Sequence, residues 1–69
     1  MNGYVNADTY FAANAFLNIE NLFISARRVT NSWALKNIFT DAVEAGIVGQ
    51  DLEIENIDFD EILDAVIED

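Results

Sequence analysis

The chain has 69 residues, three Lys or Arg against thirteen Asp or Glu, no His, no Cys, no Pro, and a net charge of −10 at pH 7. An apolar content of 52% excludes an intrinsically disordered acidic tail, while the length leaves room for one thin core, so a single domain spanning residues 1–69 is expected. The missing Cys excludes a disulfide framework, a Cys-type zinc site and a thiol nucleophile, and the missing His removes the commonest general base and metal ligand.

The charge is divided between the halves. Residues 1–40 hold Asp8 and Glu20 against Arg27, Arg28 and Lys36, a net of +1. Residues 41–69 hold eleven carboxylates and no base. Such asymmetry marks an electrostatic interaction surface. An anionic surface is repelled by nucleic acid and by anionic lipid, so direct binding to either is disfavoured. No apolar run approaches the roughly 18 residues of a membrane span. Met1-Asn2-Gly3-Tyr4 lacks the cationic stretch of a secretory signal, so the expected compartment is cytoplasmic.

In chain order, Asp8 to Val29 reads as helix. Asn14, Asn18, Asn21, Ser25 and Arg28 draw a narrow polar stripe, and the remaining circumference is apolar, as in a helix central to a core or sandwiched in an oligomer. Asn6 or Asp8 can cap its start. Asn18 is a second candidate cap, so the segment is one helix or two joined near Asn18-Ile19, and the break is the favoured reading. Thr30-Asn31-Ser32 offers three caps in a row before a helix from about Trp33 to Ala45, with Leu35, Ile38, Phe39 and Ala42 inward. Gly46 suits the left-handed position that ends helices. Asp51-Leu52-Glu53-Ile54-Glu55 alternates acidic and apolar residues, which suits a short extended segment near 52–55 with Leu52 and Ile54 inward. A last helix should start near Asp58, whose spacing to Glu61 is that of a capping box. Phe59, Ile62, Leu63, Val66 and Ile67 form its apolar stripe. The fold class is therefore all-α, a compact bundle of three to four short helices.

Asn6-Ala7-Asp8-Thr9-Tyr10, continuing to Phe16, Asn18, Glu20 and Leu22-Phe23, resembles the start of a group of small phage and prokaryotic proteins that read Asn-x-Glu-Thr-Trp-Asn, an aromatic, Asn-Asp-Glu and Leu-Tyr. Ile57-Asp58-Phe59-Asp60-Glu61-Ile62 is similar to the Val-Asp-Trp-x-Glu-Ile with which several of them close. Phe11 stands where that group has Asn, and Ile19 where it has Asp. The resemblance implies a helical fold and a phage or plasmid setting, and it carries no function over.

Four constellations bear on chemistry. Asp58, Asp60, Glu61, Asp64, Glu68 and Asp69 place six carboxylates in twelve residues. That is one charge per roughly 3 Å of helix, against about 3.4 Å between phosphates along one DNA strand. Asp51, Glu53, Glu55, Asp41 and Glu44 extend the pattern. A rigid array of this kind can occupy a basic groove in place of phosphates and steer the partner to it. The bland alternative is a solvated face, but solubility needs a net charge of only about 2–8. Calcium is the second: Asp51, Glu53 and Glu55 alternate as in an EF-hand, yet Asn56 stands where Gly is needed and Ile62 where the bidentate Glu belongs. Paired-carboxylate catalysis is the third, and it needs a buried acid in a cleft that a domain this small seldom encloses. The fourth is the aromatic set. Most belong to the core, but Tyr10 and Phe11 point about 100° apart so that one lies outside, and Trp33 is off its helix's stripe. Tyr10 and Trp33 are the candidate apolar anchors.

These observations favour a binder over an enzyme, with neither cofactor nor metal. The expected function is inhibition of a host nucleic-acid-handling protein by phosphate mimicry, the host protein being a defence nuclease, a restriction or CRISPR effector, a repair enzyme or a polymerase. The binding residues would be Asp51, Glu53, Glu55, Asp58, Asp60, Glu61, Asp64, Glu68, Trp33 and Tyr10. The rival is a homodimer built on the apolar first helix, which Phe16→Ala or Phe23→Ala should dissociate.

Overall fold

In the computed structural model, which describes residues 3–48 and 52–68, α1 (Ala7–Asn18), α2 (Glu20–Ala26), α3 (Ser32–Glu44), a single 3₁₀ turn (Ile54–Asn56) and α4 (Phe59–Glu68) follow one another, with no strand among the described residues. The bundle is all-α, as expected. The first helical stretch is divided at Ile19, whose extended backbone (φ −94°, ψ 111°) separates α1 from α2. Ile19 accepts the Phe23 N–H at 2.9 Å and no side chain caps α2. Asn18 is the last residue of α1, so its expected capping of α2 is not seen. The bend turns Leu22 and Ala26 into the same core as Ala12, Ala13 and Phe16.

Local signals explain the other helix ends. Asn6 caps α1 by accepting the Thr9 N–H at 2.8 Å, and Asn31 caps α3 in the same way through the Ala34 N–H. At the end of α3, Gly46 takes φ 76°, a conformation that strains any residue with a Cβ. The Gly46 N–H then reaches the Val43 carbonyl at 3.1 Å and the Ile47 N–H the Ala42 carbonyl at 2.9 Å, the pair of bonds of a Schellman ending. Leu52 and Ile54 pack on the core as expected. Glu53 is extended, but the expected extended segment is cut short because Ile54–Asn56 closes into the 3₁₀ turn.

The core is aromatic at its centre. Phe39 of α3 is fully buried, with its ring centroid 5.7 Å from Phe16 of α1 and 5.9 Å from Phe59 of α4. Leu35, Ile62 and Val66 complete this layer. Phe16 is therefore committed to the fold of its own chain and is not free to form a subunit seam. Ile67 departs from expectation: it is 64% exposed, and the buried stripe of α4 ends at Val66.

Bonds between distant parts of the chain fasten the two ends of this bundle. Thr9, a wholly buried polar residue, accepts the Asp58 N–H on its hydroxyl at 2.9 Å. The Asn6 amide donates to the Asn56 carbonyl at 2.8 Å, and the Val5 N–H donates to Glu61 Oε1 at 3.0 Å. Asp58 caps α4 by accepting the Glu61 N–H at 3.2 Å. The reciprocal half of the expected capping box is not made: the Asp58 N–H goes to Thr9 and the Glu61 carboxylate to Val5.

Candidate binding surface

This clasp sorts the carboxylates. Glu61 is half-buried and engaged by the Val5 N–H, and Asp58 has one oxygen in the α4 cap. Neither is a free phosphate surrogate in the way the sequence count assumed. Asp51 and Asp69 lie outside the described residues. On α4 the outward acids are thus Asp60, Asp64 and Glu68, all exposed. Their four-residue spacing puts them about 6 Å apart along one helix face, near half the linear charge density of a single DNA strand. Exposed Glu53 and Glu55 flank the 3₁₀ turn, and exposed Asp41 and Glu44 lie on α3, which packs against α4. The exposed acids are consequently spread over several elements rather than set in one dense row.

None of the three cations is paired with these acids among the described residues. Arg27 lies over the Phe23 ring at 5.4 Å from its centroid, a cation–π contact one turn back along α2. Among the described residues, no ion pair joins Arg27, Arg28 or Lys36 to a carboxylate. Nor do three acids gather closely enough among the described residues to hold a metal ion.

The aromatic anchors divide. Trp33, in the first turn of α3, is 73% exposed. Tyr10 is half-buried, its ring in tilted contact with Tyr4 at 6.0 Å and Phe11 at 5.5 Å between centroids, and the outward member of the Tyr10/Phe11 pair is Phe11. Trp33 borders an open groove of about 570 Å³, formed by the start of α3, Val5-Asn6 and the junction of the 3₁₀ turn with α4. Tyr10 is not part of its lining. Sequence reasoning missed Asn6, Thr9 and Asn56 as the residues that shape this site. Asn6 was visible only as a cap, and Thr9 and Asn56 gave no local signal.

No family model, curated protein or solved structure matches the chain. No helix among the described residues is long and apolar enough to cross a membrane.

Proposed function

We propose that this chain is an acidic binding domain, without catalytic activity of its own, that blocks a nucleic-acid-handling protein by occupying its basic groove. The observation that supports the reading is the state of the charges: Glu53, Glu55, Asp60, Asp64 and Glu68 are exposed and, among the described residues, free of ion pairs on a fold held by an apolar core and a hydrogen-bonded clasp. Repulsion within a net charge of −10 opposes folding, and a cationic partner relieves it. The carboxylates act as phosphate surrogates distributed over the α4 face and the 3₁₀ turn. The resemblance to small phage proteins gives the setting: a phage- or plasmid-encoded inhibitor in the host cytoplasm, acting on a defence nuclease, a restriction or CRISPR effector, a repair enzyme or a polymerase. The rival homodimer has less to build on, since Ala12, Ala13, Phe16, Leu22 and Ala26 are spent in the chain's own core.

The test is affinity capture of the tagged protein from a bacterial lysate at low and high salt, with mass-spectrometric identification. A nucleic-acid enzyme held at low salt, released as ionic strength rises and displaced by added duplex DNA is the expected result. Raised salt should at the same time increase the melting temperature of the free domain, because it screens the internal repulsion. Recovery of only untagged copies of the same chain, indifferent to salt, overturns the reading in favour of self-association.

A further inference from the structure

We infer that the groove beside Trp33 receives an arginine side chain from a basic protein segment. The inference rests on the proposed reading that the partner is basic, and it assigns the contact at which that partner is recognised rather than merely attracted. Trp33 presents a flat indole to water at the rim, with Val5 exposed beside the same groove and Phe59 in its lining. Three carboxylates, Glu55, Asp58 and Asp60, surround it against one cation, Lys36, a net of −2 for the lining. The volume of about 570 Å³ suits one long side chain with its flanking backbone. The walls are already set, since Asn6 holds the Asn56 carbonyl and Thr9 holds the Asp58 N–H, so binding orders little that is loose.

Charge complementarity selects the occupant. A purely apolar segment would strip water from Glu55 and Asp60 and return nothing to them. A nucleobase could stack on Trp33, but its phosphates would meet the carboxylates. A second copy of the chain would bring another net charge of −10. An arginine satisfies both halves of the site: its guanidinium stacks on the indole and forks to a carboxylate, while its methylene stem covers the apolar wall. Lysine offers the same charge without the planar face or the fork. Lys36 is the one feature that opposes the cation, which makes it a sensitive control.

Trp33 is the only tryptophan, so its fluorescence reports on the groove directly. The probe is the blocked peptide acetyl-Gly-Arg-Ala-Arg-Gly-amide, titrated at low salt beside its Lys-for-Arg counterpart of equal charge. The expected result is a saturable change in which the Arg peptide binds about two- to fivefold more tightly than the Lys peptide. Glu55→Gln with Asp60→Asn should weaken the Arg peptide by about three- to tenfold, and Lys36→Gln should tighten it. Trp33→Leu, followed by calorimetry, should abolish the preference for Arg while leaving the helical circular dichroism intact, because the side chain lies mostly in solvent. Equal affinity for the two peptides, no saturable change, or weakening by Lys36→Gln each overturns the inference. Peptide binding without DNA-displaceable capture would keep the groove and reject phosphate imitation. DNA-displaceable capture without peptide binding would do the reverse.

Discussion

Phe39→Ala is expected to leave the chain largely unfolded at 25 °C. Phe39 is fully buried and is the ring that both Phe16 and Phe59 contact, at centroid distances of 5.7 and 5.9 Å, so it joins α1, α3 and α4. Truncating a buried Phe costs about 3–5 kcal/mol, through lost transfer free energy and the cavity left behind. A domain of 69 residues has a total stability of about 3–10 kcal/mol, so the loss consumes most or all of it. Urea titration followed by far-ultraviolet circular dichroism measures the effect. A folded variant with an unchanged midpoint would mean that the three rings do not form the central contact.

The second large effect concerns the clasp. Thr9→Val preserves shape but removes the acceptor of the Asp58 N–H, and an unpaired donor there costs about 1–3 kcal/mol. Thr9→Ser should lose less, because it keeps the hydroxyl while shedding a methyl group. That order is the opposite of the one apolar burial alone would give, and it separates the hydrogen bond from packing. Thermal melts of the two variants decide it. If the Val variant equals or exceeds the wild type, the clasp does not stabilise the fold.

These two positions also show what could be read from the sequence. Phe39 falls on a four-residue apolar period, and the caps at Asn31, Gly46 and Asp58 act within one turn of their own residues, so each is legible locally. Thr9 is not. Its partner is 49 positions away, and nothing in the neighbouring residues indicates that its hydroxyl will be buried against the start of α4. Glu61 misled for a related reason: its spacing from Asp58 is that of a capping box, but a backbone donor 56 residues distant takes its carboxylate. That single bond engages one carboxylate of the row counted along α4, so the outward acids of the helix are sparser than the count suggests. Ile67 shows the limit of periodicity itself, which gives a residue's angle around the helix but not how far along the helix a neighbour extends. Among the candidate anchors, the off-stripe position of Trp33 correctly marked an exposed ring. For Tyr10 and Phe11 the angle showed only that one of the two would face out, and the contact of Tyr10 with Tyr4 makes that one Phe11.

On the proposed reading, the outward carboxylates bind a basic partner and do not hold the fold. The most direct test is the triple substitution Asp60→Asn, Asp64→Asn, Glu68→Gln, measured in parallel for melting temperature and for retention of the DNA-displaceable partner. All three residues are exposed and, among the described residues, free of ion pairs, so the expected result is a melting temperature equal to or above that of the wild type, with retention lost at a salt concentration where the wild type still binds. Undiminished retention by a folded triple variant would contradict the claim and reduce the acidic face to solvation.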